Sequence, residues 1–205
     1  MNLSYTKTIE TELKGITAVA SGAQSISSTL TVNSELSARV FIDFGLDSAT
    51  TPVGTQFLIQ TSQKDTGDDT WRSVWETITG ITAPAAIATD ADEDIGQTEI
   101  ACGSTVPALR DIIFFKNATI TSSEWATVID RDITGAAEHF NIRDGLTALQ
   151  EDGTYYTKGE QFVALVDLQG IRRFRVVCNN NYAASSASCV WRCACITTDN
   201  LLVSA

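Results

Sequence analysis

Histidine is nearly missing from this chain. His139 is the single one, which removes chemistries that need two or more imidazoles, such as most catalytic zinc sites. Cations are scarce as well: 14 Lys and Arg stand against 25 Asp and Glu, a formal charge of -11. Such a surface repels phosphate, so neither nucleic acid nor an anionic membrane is an expected partner. No apolar run approaches the roughly 18 residues of a membrane-spanning helix, and the start shows no basic stretch followed by an apolar one, as a secretory leader would. Glycine-rich phosphate loops and the Gly-x-Ser-x-Gly nucleophile elbow do not occur. Cysteine is present in an odd number, five. Without a leader, that reads as free thiols in a protein made in reducing cytosol.

What the chain does have is a core and many short strands. Its 205 residues are 43% hydrophobic and 19% charged, enough for one or two domains that fold without a metal or disulfide staple. The apolar segments are short and β-branched, with Ser and Thr abundant, which favours strands. In Ala38 to Phe44, Val40, Ile42 and Phe44 share one side. Gln56 to Thr61 is a second strand, and the polar turn Lys64 to Asp69 leads from it into Trp71 to Ile78, a hairpin with a longer loop. Gln161 to Leu168, Arg173 to Cys178 and Ser188 to Ile196 complete a set with the period-2 pattern of antiparallel sheets buried on one face. Helical pattern is weak; Ser4 to Leu13 is the one stretch that reads as a turn or two of helix.

The middle of the chain has a tighter rhythm. Gln97 to Ala101, Asp111 to Lys116, Glu124 to Asp130 and His139 to Ile142 are short strands separated by turns, which suits a small barrel better than βαβ units. The expected fold is all-β: an antiparallel β-sandwich or jelly-roll-like domain from residues 34–89 and 153–205, with a small β-barrel-like module, 90–152, inserted. Residues 1–33, rich in Ser, Thr and Ala, read as an N-terminal arm that orders against a neighbouring subunit.

Candidate chemistry is thin. Cys189, Cys193 and Cys195 offer three thiols, but on a strand they share a face with Trp191, where free cysteine behaves as a small core hydrophobe. Asp90, Asp92 and Asp94 open like a calcium loop, yet the sixth position is Ile95 and the twelfth Ala101, so a solvated acidic linker fits better. The carboxylate pairs Asp68–Asp69, Asp130–Asp132 and Glu151–Asp152 fall at turns, where Asp bonds its own backbone. His139 has no nucleophile to serve. No catalytic, cofactor-binding or metal-binding residue is assigned. Trp71, Trp75, Trp125, Tyr155 and Tyr156 are the candidate interface residues, with Trp71 and Trp75 placed on one strand face by their spacing.

Several stretches resemble a known class when taken together: Arg39-Val40-Phe41-Ile42-Asp43-Phe44-Gly45, Gly54 to Ser62, Trp71-Arg72, Asp111 to Asn117, Ser123 to Val128, Asp144 to Thr147, Phe162 to Leu168 and Arg173 to Val177. The chain from about residue 35 resembles small structural proteins of the virion modules of tailed bacteriophages. The resemblance implies a β-sandwich or jelly roll, often homotrimeric, that decorates or cements the head shell or sits at the neck or tail. It carries no catalytic or cofactor residues. The expectation is therefore a non-enzymatic head decoration or cement protein located in the virion, with the major capsid protein or other virion proteins as partners. The alternative is a neck- or tail-associated structural or receptor- and glycan-binding protein.

Overall fold

The computed structural model describes residues 10–46, 54–67, 70–79, 87–88, 93–102, 106–132, 138–150, 155–180 and 188–199. Their strands are β1 (Thr11–Val19), β2 (Gln24–Ile26), β3 (Leu30–Thr31), β4 (Glu35–Leu46), β5 (Gln56–Ser62), β6 (Arg72–Ile78) and β7 (Ile87–Ala88). These are followed by β8 (Glu99–Cys102), β9 (Ile112–Lys116), β10 (Glu124–Asp132), β11 (Glu138–Ile142), β12 (Tyr155–Asp167), β13 (Arg173–Asn179) and β14 (Cys189–Asp199). Among the described residues the one helical element is the 3-10 turn Ile120–Ser122. The fold is all-β, as the alternation implies.

Two antiparallel sheets form the layers. The long sheet runs β1-β14-β4-β12-β9-β10-β11-β8, with β7 also against β12; the small sheet runs β2-β13-β5-β6, with β3 also against β13. Their inner faces meet over one core. Ala38, Val40, Ile42, Phe44 and Leu46 of β4 are all fully buried there, facing Phe57 and Ile59 of β5 and Phe174 and Val176 of β13. Trp191 lies among them, 5.8 Å from the Phe57 ring. Cys189, Cys193 and Cys195 line the same core on β14. Consecutive strands are often not neighbours: β12, β13 and β14 alternate between the sheets. The break at Gln169-Gly170 is therefore a crossover with Gly170 at φ 74, a left-handed conformation that glycine adopts without penalty.

Residues 11–33 of the expected N-terminal arm are strands of the sandwich. They are built into both layers: β1 pairs with β14, and β2 and β3 pair with β13. Leu13, Val19 and Val32 are buried in the main core. Period-2 reading fails on β1 because its register against β14 shifts between Glu12 and Lys14 and again between Lys14 and Thr17. Each bulge reverses which side chains point inward. The helical turn expected over Ser4 to Leu13 is likewise replaced by strand from Thr11 on; residues 1–9 lie outside the described residues.

The segment 90–152 also differs from a separate inserted barrel. β8 to β11 curl over a core of their own, with Ile100, Ile113, Phe115, Val128, Phe140 and Ile142 buried, yet their sheet is continuous with the long one. β12 makes the join: Tyr155 to Gly159 pair with β9, and Glu160 to Asp167 pair with β4. At the changeover, a Cβ on Gly159 would stand 3.0 Å from both the Phe44 carbonyl oxygen and the Trp125 ring. The acidic stretch is not all solvated either. Glu93 is fully buried, bridged by backbone to Gln150, with its carboxylate accepting from the Ala101 N–H at 2.8 Å and from the Gln97 amide. Burial raises its pKa above the ordinary carboxylate value, while those hydrogen bonds pull it back down. Asp90 and Asp92 lie outside the described residues.

Candidate functional site

Two surfaces stand out. The first is on the small sheet, where β13 presents Arg173 and Arg175 on its outer face, away from Phe174 and Val176. Both guanidinium groups lie over the Trp71 ring, at 4.8 and 4.2 Å from its centroid. Arg173 also donates to the Lys64 and Gly67 carbonyls, each at 2.8 Å, and Arg175 donates to the Gln60 side chain at 3.0 Å. The arginines thus tie the 63–67 turn to the sheet through the indole. Beside them is a cavity of about 500 Å³ lined by Thr61, Lys64, Thr70, Trp71, Arg72 and Val74, among others. The Trp71 indole N–H is buried with no hydrogen-bond partner among the described residues. Lys64 and Arg72 line this cavity, while Arg173 and Arg175 cover the Trp71 ring. Asp65 is on the same turn, 4.0 Å from Arg172; Asp68 and Asp69 lie outside the described residues.

Trp75 does not join Trp71. In the β5–β6 ladder Ile59 pairs with Trp75 but Gln60 pairs with Ser73, so Val74 is an extra residue on β6. One inserted residue turns everything before it to the other face. Trp75 therefore points inward, packs against the main core and meets Phe162 at 6.5 Å, while Trp71 points outward onto the arginines. The expected shared face is corrected by that bulge, which the spacing of four residues does not reveal.

Trp125 is spent internally. Its indole N–H donates to the Phe44 carbonyl at 2.9 Å, its ring packs on Phe114 at 4.8 Å, and Arg192 covers it at 5.0 Å. Arg192 in turn pairs with the buried Asp43 at 2.6 Å, which also accepts from Gln161 at 2.6 Å. Trp125 is thus a wedge fixing the curled part of the long sheet onto β4. Tyr155 and Tyr156 pair by backbone with Lys116 and Phe115 on one side and with Ala88 and Ile87 on the other; their side chains lie outside the described residues.

The second surface is the outer face of the long sheet, a feature the aromatic search missed. Leu165 and Val163 on β12 are 75% and 56% exposed. Across the ladder, Val163 faces Phe41 of β4, which faces Ala194 of β14; Leu165 faces Arg39, which faces Ile196. Phe41, Ala194 and Ile196 are half-buried. Three adjacent strands thus present an apolar patch where a sheet face turned to water ordinarily alternates to polar residues. The signal was legible in Phe162 to Leu168: six of its seven residues are apolar, more than a strand with one wet face needs.

The remaining candidates are ordinary. His139 is half-buried on β11 and Asp130 is exposed on β10. Among the described residues no group of three or more His, Cys, Asp or Glu is placed to hold a metal ion. Comparison with protein-family models, curated proteins and solved structures gives no match for this chain.

Proposed function

We propose that this chain is a non-enzymatic structural protein of a tailed-bacteriophage virion, a head decoration or cement protein that binds and stabilises the capsid shell. The observation that carries the reading is the apolar face of β12, β4 and β14. Leu165 and Val163 stay largely in water on an otherwise acidic chain, and contiguous exposed apolar surface marks sites of association. Burying what they expose contributes about 1–2 kcal/mol each, and many copies on one particle multiply a modest contact through avidity. The occupant is the capsid protein, with a homotrimer as the form that docks.

Co-sedimentation of the purified chain with empty shells of the major capsid protein tests this directly. Wild-type chain pellets with shells, and Leu165→Asp lowers occupancy at least tenfold while leaving the urea unfolding midpoint unchanged. A wild-type chain that stays in the supernatant with every particle fraction overturns the proposal.

A second reading, a neck or tail protein that binds an acidic glycan, is favoured by the cavity beside Trp71, which the cations Lys64 and Arg72 line. An array of acidic and neutral glycans separates the two. Hits confined to acidic glycans and lost in Trp71→Ala support the second reading; no hits, with shell binding intact, leave the first.

A further inference from the structure

The apolar face of β12, β4 and β14 continues onto β1, where its chemistry changes. The register draws one row across four strands: Val163 on β12 faces Phe41 on β4, Phe41 faces Ala194 on β14, and Ala194 faces Glu12 on β1. Three strand spacings of about 4.8 Å make that row roughly 14 Å long. It runs from the exposed Val163 through the half-buried Phe41 and Ala194 to the exposed Glu12. At the β1 end the surface dips into a notch of about 250 Å³ lined by Glu10, Glu12, Lys14, Phe41 and Ala194, among others. Phe41 and Ala194 thus belong to the apolar patch and to the notch alike.

The notch holds more negative than positive charge. Asp43 and Arg192 line it too, but they are paired with each other at 2.6 Å. That leaves the carboxylates of Glu10 and Glu12 against one ammonium, Lys14. A protein that docks on Val163 and Leu165 also covers this end, because a standard interface of about 800 Å² per partner is roughly 28 Å across, twice the length of the row. Covering a carboxylate excess is costly unless the partner brings a cation. Arg39 fixes where that cation sits: it is exposed in the adjoining row, between Leu165 and Ile196, and repels a cation from the middle of the face. The edge offers no alternative mode of docking, since β1 is an outer strand with two register shifts, and bulges blunt an edge against strand addition.

We propose that the surface of the shell protein that docks here presents an apolar side chain to Val163 and Leu165 and a lysine or arginine to the notch at Glu10 and Glu12. The inference rests on the shell-binding reading and names what the shell must offer. The apolar contact supplies the affinity, and the basic group sets the orientation of the chain on the shell.

The experiment measures occupancy of the full-length chain on empty shells of the major capsid protein, by co-sedimentation at low salt and at about 1 M salt. The double variant Glu10→Gln/Glu12→Gln is expected to weaken binding about fivefold at low salt, and Lys14→Gln to strengthen it about twofold. Both differences should vanish at high salt, where screening acts within about 3 Å. Glu76→Gln/Glu99→Gln removes the same two charges from exposed positions on β6 and β8 and should leave occupancy unchanged. A loss of folding cannot produce opposite signs at neighbouring positions, so the pair of notch variants decides. If the wild-type chain pellets and Leu165→Asp releases it, but Glu10→Gln/Glu12→Gln is neutral or binds more tightly, the proposal is overturned and the shell-binding reading stands. A wild-type chain that never pellets overturns both.

Discussion

Replacing Gly45 by alanine is the sharpest probe of how the curled part of the long sheet sits on β4. An ideal Cβ at Gly45 would lie 2.3 Å from Cγ, 2.4 Å from Cδ1 and 2.8 Å from Cβ of Phe114, against about 3.5–4.0 Å for carbon atoms in contact. The ring must therefore move by more than 1 Å, on the order of the shortfall. It has nowhere to go: Phe114 is fully buried and packed on Trp125, whose N–H is bonded to the carbonyl just before Gly45. Overpacking costs about 1–3 kcal/mol, and loosening the indole hydrogen bond adds about 0.5–1.5 kcal/mol, so Gly45→Ala is expected to lose about 2–4 kcal/mol. Phe114→Ala opens a cavity at about 3–5 kcal/mol. In the double variant the new methyl occupies the space the ring has left. Its total loss should then stay near that of Phe114→Ala, giving a coupling of at least about 2 kcal/mol. Urea unfolding followed by far-UV circular dichroism measures all four corners of the cycle. A Gly45→Ala variant within about 0.5 kcal/mol of wild type, or strict additivity, refutes the packing described.

Three other outcomes are expected. Deleting residues 11–33 removes β1, β2 and β3 along with the buried Leu13, Val19 and Val32, so the remainder should lose cooperative urea unfolding; a retained sharp transition would show that these strands are dispensable. Glu93 has a raised pKa in the folded protein, so between the unfolded-chain value and that higher one the native state holds the extra proton, and Glu93 weakens the fold as pH rises through this window. The urea midpoint of wild type relative to Glu93→Gln should accordingly fall with increasing pH above about 4.3, and a flat difference would rule out the assigned burial. Trp71→Ala leaves Arg173 and Arg175 without the ring they cover; the 63–67 turn should then exchange its amides faster, while the core amides of β4 keep wild-type protection.

The strands of the main core were legible because their pattern is local. Val40, Ile42 and Phe44 alternate without interruption, and β5, β9, β11, β12 and β13 likewise carry an apolar face that needs no knowledge of the partner strand. Cys189, Cys193 and Cys195 were readable as core for the same reason, since strand parity puts them beside Trp191. β1 was not readable: two bulges scramble its parity, and β14 alone dictates where they fall. The bulge at Val74 misled in the same way, sending Trp71 and Trp75 to opposite faces. Trp125 looked available because a lone Trp between Glu124 and Ala126 carries no sign of the Phe44 carbonyl that awaits it.

By itself the sequence determined the all-β class, the strand-forming segments and the acidic charge, because backbone preference, side-chain alternation and summed charge are properties of neighbouring residues. Only the tertiary structure decided that residues 11–33 belong to both layers, that β8 to β11 extend the long sheet through β12, and that Glu93 is buried. Those features depend on strand register and on which layer each strand joins, and both are set by contacts between residues far apart in the chain.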